Sequence, residues 1–362
     1  MKIHGKPRTS IWANHAHRSV SIIDQTLLPF ALEEHEMVSL EQACEAIRAM
    51  RVRGAPLIGI TAAYGVALQM KTDCTDHALK AACRTLLATR PTAVNLAWAL
   101  AHMRQVLTPL DELERADAAW EEAEKMARDD IATNAAIGQH GLELIRALHA
   151  EHQRTINILT HCNAGALAAV DWGTATAPIY QAHDAGVPVH VWVEETRPRN
   201  QGLLTAWELR EHGVPHTYIV DNAGGHFMQQ GQVDMVIVGV DRASRAGDIA
   251  NKIGTYQKAL AAHDNGIPFY AATPSSSIDW QLDNALTDIE IEERSGDEIR
   301  HLRGLSPDGL TRDFRILDEL SPVANPGFDI TPARLITGII TERGIATPDQ
   351  LAALFPLESK RS

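Results

Sequence analysis

Apolar residues recur every three or four positions through most of the first 150 residues. The stretches 41–52 (EQACEAIRAMRV), 55–70 (APLIGITAAYGVALQM), 76–90 (DHALKAACRTLLATR) and 95–107 (NLAWALAHMRQVL) read as helices, and a mixed charged and apolar stretch from Asp111 to His149 keeps the same period. The exception is SVSIIDQTLLP at 19–29, where β-branched residues read as a strand closed by a Pro turn. From residue 154 the pattern changes. Short β-branched runs at 156–160, 187–195, 215–220, 233–241 and 267–273 alternate with helical patterns such as 204–213 and 252–266. Near-continuous apolar strands separated by helices indicate a parallel sheet covered on both faces, the doubly wound α/β arrangement. The chain thus divides into a mainly helical part with a short β element, 1–150, and a sheet-based part, 151–362. A long helix or loop near 110–153 joins them, and no repeat or low-complexity tract is present.

The length of 362 residues suits two domains with substantial cores. With 33 basic against 46 acidic side chains the formal net charge is −13, which argues against nucleic-acid or anionic-membrane partners held by bulk charge. No segment supplies the roughly 18 uninterrupted apolar residues of a membrane helix, and the start, MKIHGKPRTSIWANHAHRS, has no apolar run after its charges. The expectation is a soluble cytoplasmic protein. Cys44, Cys74, Cys83 and Cys162 lack CxxC or CxxH spacing, so neither a zinc site nor a disulfide framework is indicated.

In doubly wound sheets ligands sit beyond the carboxyl ends of the strands. Three such ends carry THCNAGALA, EETRPRNQG and GVDRASRAGDIANK. Cys162 falls at a strand-to-helix turn, where Gly165 permits tight geometry and unpaired helix N–H groups would lower the thiol pKa; the plainer alternative is a small buried side chain. Asp241 follows the apolar run MVIVGV, so burial would raise its pKa and suit it to act as a general acid, unless it caps a helix or pairs with Arg242 or Arg245. Arg53, before Gly54, Ala55 and Pro56, stands at a helix start able to hold a phosphate, or at an ordinary capped one. Arg90 repeats the arrangement in TRPTAVNLAW, and Asn251-Lys252 approximates it before the next helix. Three cationic helix starts in an acidic chain point to an anionic small-molecule ligand. Nucleotide loops of the GxGxxG or GxxxxGK[ST] type are missing, and among 17 histidines His161, His190 and His226 are assigned no metal.

Taken together, RGAPLIG, TRPTAVNL, HCNAGALA, EETRPRNQG, GVDR followed by GDIANKIGTY, PFYAATPSSSID and NPGFDITPARLITGIITERG resemble the methylthioribose-1-phosphate isomerase family, from about residue 9 to residue 355. Ribose-1,5-bisphosphate isomerases and the regulatory subunits of translation initiation factor 2B are its relatives. The resemblance implies a small helical N-terminal domain, a Rossmann-like C-terminal domain, a homodimer, a phosphorylated pentose substrate, and no metal or organic cofactor. It places the catalytic pair on Cys162 and Asp241, and substrate binding on Arg53, Gly54, Ala55, Arg90, Gln201, Asn251 and Lys252. It also implies that Asp241 protonates the ring oxygen while the Cys162 thiolate takes the C2 proton, with a hydride shift from C2 to C1 as the alternative route. Regulatory subunits generally lack this pair, which favours an enzyme of methionine salvage over a binding module.

The departures from the family pattern are local. The segment EETRPRNQGLLTAWEL is one residue short and lacks an Arg, Ala164, Ala166 and Ala169 replace hydroxyl residues, and DNAGGHFM stands at 221–228. They are expected near the sugar site, where they leave open a preference for 5-deoxyribose 1-phosphate.

Overall fold

The computed structural model describes residues 1–90 and 93–359. A small hairpin, β1 (Lys2–Ile3) and β2 (Lys6–Pro7), precedes an antiparallel sheet of β3 (Ile11–Asn14), β4 (Ser19–Ile23) and β5 (Glu34–Met37). The expected strand at 19–29 is β4, but its neighbours were not legible: β5 reads EHEM and is a mostly solvated edge without apolar alternation. Helices α1 (Leu40–Arg48), α2 (Ala55–Met70), α3 (Asp76–Leu87) and α4 (Val94–Leu107) come next. The side chains of Ser39 and Thr75 cap α1 and α3 by accepting from Gln42 N and Ala78 N. Helix α1 stops four residues short of the expected end because Met50 takes a left-handed φ of 59°. The proline expected to open the helix after Arg90, Pro91, lies outside the described residues. Helix α2 is buried almost all round, which is why its sequence is apolar without a polar face.

The join between the two parts is a single helix, α5 (Arg115–His152), of 38 residues, about 57 Å long at roughly 1.5 Å per residue. Its first half contributes Ala119, Trp120, Ala123 and Met126 to the core beneath α2. Its second half contributes Ile137, Leu142 and Ile145 to the core on one face of the large sheet. One rigid element therefore serves both cores.

Beyond it the chain runs through β6 (Ile156–Thr160), α6 (Ala177–Asp184), β7 (Val189–Glu194), α7 (Gly202–His212), β8 (His216–Ile219), α8 (Gly224–Gln229) and β9 (Met235–Val238). Next come β10 (Arg242–Ser244), β11 (Ile249–Lys252), α9 (Thr255–Asp264), β12 (Phe269–Ala272) and β13 (Ile278–Asp279). Short helices α10 (Ala285–Asp288) and α11 (Asp297–Arg300) lead into the hairpin β14 (His301–Leu305) and β15 (Thr311–Arg315). The chain closes through β16 (Phe328–Thr331), β17 (Gly338–Thr341), β18 (Gly344–Ala346) and α12 (Leu351–Leu354).

Seven strands form one sheet in the order β18-β17-β12-β9-β6-β7-β8, parallel except for β18. Alternate residues face opposite sides, as the pleat requires. Ile158, Val191 and Ile237 meet α5 and α6, whereas Leu159, Val236 and Phe269 meet α8 and α9. The chain builds outward from β6 through β7 to β8, then returns to place β9 on the other side of β6. The reversal between β6 and β9 opens a crevice at their carboxyl ends. Two expectations need correction. The strand expected over 233–241 ends at Val238, and the loop expected after Asp241 is β10 and β11, two strands of a second, four-stranded sheet completed by β13 and β16. Asn251 and Lys252 are therefore strand residues, not a helix start. Their alternation is hidden because β11 is buried on both faces.

Helices α5 and α6 meet at glycines. A Cβ on Gly141 would lie 2.4 Å from Pro178 Cγ. Gly141→Ala gains about 1 kcal/mol of helix propensity but overpacks against a ring fixed to the backbone, at a cost of about 1 to 3 kcal/mol. Thermal unfolding should show a lower Tm for the variant; a higher Tm would mean that propensity outweighs the contact.

Candidate active site

At the β6/β9 reversal lies a cavity of about 100 Å³ lined by Arg53, Gly54, Ala55, Arg90, Cys162, Gln201, Asp241, Asn251 and Lys252, together with Asn163, Arg199, Arg294 and Phe328. All nine residues singled out from the sequence meet here, drawn from segments up to 199 positions apart. Asn163, Arg199 and Phe328 lie in motifs quoted above but were not singled out, and Arg294 lies outside every quoted motif.

Cys162 lies two residues beyond β6 in the left-handed region, φ 68°. Its N–H donates to Thr196 Oγ1 at 2.8 Å and its carbonyl accepts from Thr205 Oγ1 at 2.8 Å. Thr196 is itself left-handed, φ 61°, which is rare for a β-branched residue. It is held because Asp221 accepts the N–H groups of Thr196 and Arg197, each at 2.8 Å. The turn is therefore locked from three directions. It leads into a short 3-10 turn, Ala166–Ala168, not an α-helix, and Gly165 is extended with φ −97°. The expected lowering of the thiol pKa by helix N–H groups does not hold. Burial pushes the thiol up, and the opposing pull comes chiefly from the Arg53 and Lys252 cations, with the Asn163 N–H behind them.

Asp241 lies three residues beyond the end of β9 and has its carboxyl pushed up by burial, as expected, against the pull of Lys252, Arg90 and Arg53. The alternative roles fall away. Arg242 is bonded to Asp279, Arg245 pairs with Asp283, and Asp241 precedes a strand, so it caps no helix. The Asp241 charge makes ionisation of Cys162 harder.

The cations differ in how they are neutralised. Arg53 Nη1 donates to Asn163 Oδ1 at 2.9 Å, and Lys252 Nζ donates to the Gly327 carbonyl at 2.8 Å while lying 4.6 Å from the Phe328 ring centre. Neither has a carboxylate within ion-pair distance among the described residues. Arg90 has Glu292 at 3.9 Å. Arg199 and Arg294 are tied to Glu298 at 2.8 and 2.7 Å, and Arg294 also to Glu292. Burial pulls Arg53, Arg90 and Lys252 down in pKa, the mark of charge held away from water. Arg53 alone of the three adjoins a helix start. Gly54 caps α2 with φ 91° and no side chain could fit there, since a Cβ would sit 2.4 Å from Ala168 O. Asn251 donates to Thr255 Oγ1 at 3.0 Å, and buried Gln201 keeps Oε1 without a partner.

Of the departures from the family pattern, Ala164 and Ala169 line the cavity, but Ala166 packs with Met1, Ile3 and Leu204. Asp221 acts from behind the Cys162 turn, so the 221–228 segment does not border the sugar site as expected. His161, Glu194 and Asp221 bring potential metal-binding atoms within 4.8 Å of one another. There His161 contacts Glu194 and Ile253 O at 2.7 and 2.8 Å, and the Lys258 ammonium stands 3.4 Å from Glu194.

A thiol and a carboxyl group under uncompensated cations at the switch point of a parallel sheet define an enzyme for a small anionic molecule. The model of the initiation factor 2 subunit family matches residues 51–348. A methylthioribose-1-phosphate isomerase of Acidiphilium cryptum is 61% identical over 360 residues, 98% of either chain, and that of Rhodospirillum centenum is 57% identical over 366 residues, 100% of this chain and 98% of the relative. The crystal structure of 5-methylthioribose 1-phosphate isomerase from Pyrococcus horikoshii OT3 superimposes with TM-score 0.84 at 39% identity, covering 97% of both chains. That of translation initiation factor eIF-2B, subunit delta, from A. fulgidus gives 0.81 at 36%, covering 97% of this chain and 100% of that one. The chain belongs to the initiation factor 2 subunit family and, within it, to the methylthioribose-1-phosphate isomerases.

If Lys252 supplies part of the pull on the thiol, Lys252→Met should move the midpoint of Cys162 alkylation by iodoacetamide to higher pH, because removing a cation disfavours the thiolate. An unchanged midpoint would show that the two groups do not interact.

Proposed function

We propose that this isomerase converts 5-methylthioribose 1-phosphate to 5-methylthioribulose 1-phosphate, with Cys162 and Asp241 as its proton-transfer pair. The observation that carries the reading is the convergence of that pair with cations that lack a fixed counter-charge. A phosphate at the start of α2 would meet the free N–H groups of Gly54 and Ala55 and the side chains of Arg53 and Lys252. Arg90, Gln201 and Asn251 remain to hold the sugar.

An aldose 1-phosphate cannot open spontaneously, since its anomeric oxygen is esterified. In the proposed sequence Asp241 gives its proton to the ring oxygen as the C1–O bond breaks. Cys162 as thiolate removes the C2 proton, leaving an enol phosphate. The C2 hydroxyl proton returns to Asp241 and the thiol proton passes to C1, so the ketose forms and both groups are restored. Burial suits both halves: it favours the protonated form of Asp241, and the surrounding cations offset part of the cost of the thiolate. Each positioned acid or base is worth roughly 10² to 10⁴ in rate.

The homodimer belongs to the same proposal on the strength of the family resemblance, as do the cytoplasmic location and the division into domains at residue 150 on the reading of the sequence. Among the described residues no helix is long and apolar enough to cross a membrane. The hairpin β14–β15 presents the half-exposed side chains of Leu305, Leu310 and Phe314, which supports a covered face there.

Purified protein should turn over 5-methylthioribose 1-phosphate with a higher kcat/KM than 5-deoxyribose 1-phosphate. The reverse order would assign it to the deoxy sugar, and no turnover of either would favour a regulatory binding role. Cys162→Ser and Asp241→Asn should each lose at least about 10²-fold in kcat with Tm retained, and the double variant should lose little more. A stable Cys162→Ser enzyme within tenfold of the parent would remove the thiol from the mechanism.

A further inference from the structure

Glu208 sits on the inner face of α7, fully buried, and touches none of the cavity-lining cations directly. Its Oε1 accepts from Asn163 Nδ2, and its Oε2 accepts from the Leu167 N–H at 3.3 Å. Thr205, one turn earlier on the same helix, spends its hydroxyl proton on the Cys162 carbonyl, so its oxygen receives the second Asn163 N–H, at 3.1 Å. Both amide hydrogens of Asn163 are thus committed to α7. Only its oxygen is left to face the cavity, and that oxygen holds Arg53 Nη1.

We propose that Glu208 is a positioning residue for phosphate binding: through Asn163 it fixes the orientation of the Arg53 guanidinium. The inference rests on Arg53 being a phosphate-binding group. When ionised, above about pH 7, Glu208 accepts at both oxygens and donates at neither, so it imposes one orientation on Asn163. A glutamine there must either turn its NH₂ on Asn163 or abandon the Leu167 N–H. A flipped Asn163 would then aim its own NH₂ at the guanidinium, donor against donor. The neighbouring sequence is cut to fit. A Cβ on Gly165 would lie 1.7 Å from Glu208 Oε1, so glycine at 165 makes room for this carboxylate. Burial pushes the Glu208 carboxyl up to about 7, a cost that packing alone would not select for in place of an apolar side chain.

The test measures the Kd of inorganic phosphate, KM, kcat and Tm for Arg53→Met, Glu208→Gln, Asn163→Ala and the Glu208→Gln/Asn163→Ala double variant. Glu208→Gln is expected to weaken phosphate binding and raise KM by about tenfold, with kcat within about threefold. In the Asn163→Ala background, itself about tenfold weaker, it should add less than twofold. Unchanged phosphate affinity in Glu208→Gln, or an equal loss with and without Asn163, overturns the proposal. Should Glu208→Gln fail to fold, Asn163→Ala decides alone: unchanged phosphate affinity in that variant breaks the link. Arg53→Met separates this from the underlying reading. If it leaves phosphate binding intact, Arg53 is not the phosphate group; if it weakens binding while Glu208→Gln does not, the inference alone fails.

Discussion

Two cations without a fixed counter-ion among the described residues, Arg53 and Lys252, are buried beside a thiol and a carboxyl group that burial drives toward their neutral forms. In a chain of net charge −13, pairing them internally would have been easy, and Arg199 and Arg294 a short distance away are paired in that manner. Leaving a charge unpaired in a partly dry site costs several kcal/mol, so an incoming anion relieves a cost already built into the fold. The phosphate ester supplies that anion from outside, and the Cys162 thiolate supplies it from within. Because both draw on the same cations, binding and proton transfer are coupled by charge.

The rest of the fold holds these groups in place against their own preferences. The reversal of strand order between β6 and β9 brings Cys162 and Asp241 to one rim. Left-handed Cys162 and Thr196 each carry backbone strain of the order of 1 to 3 kcal/mol, offset by bonds from Thr205 and Asp221. Glycine at 54 lets α2 begin against Ala168. Helix α5 is shared by the core around α2 and the core of the large sheet, and the Arg53–Asn163 hydrogen bond ties the start of α2 to the residue after Cys162.

Much of this was legible along the chain because it rests on local periodicity. Strand ends located Cys162 and Asp241, and the Arg-Gly-Ala-Pro run located the start of α2. Lys252 was picked out as a residue but set in the wrong element: β11 is buried on both sides, so IANK lacks the alternation that marks a strand with one wet face. The strand β5 escaped for the opposite reason, its residues being nearly all polar. Asn163, Thr196, Glu208 and Arg294 owe their roles to partners 4 to 110 positions away, and hydrogen-bond direction across such distances leaves no trace in one sequence. The expected lowering of the thiol pKa failed for a related reason. It assumed an α-helix directly after β6, and the 3-10 turn found there offers no such array of N–H groups.

The central claim is that phosphate and thiolate compete for the same cations. Thiolate absorbance near 240 nm, taken as the difference between the parent protein and Cys162→Ser, reads the ionisation of Cys162 directly. Titrated with and without saturating inorganic phosphate, it should show the thiolate forming at higher pH when phosphate is bound, with phosphate affinity falling by the reciprocal amount as the thiolate forms. A titration curve that saturating phosphate leaves unmoved would contradict the account.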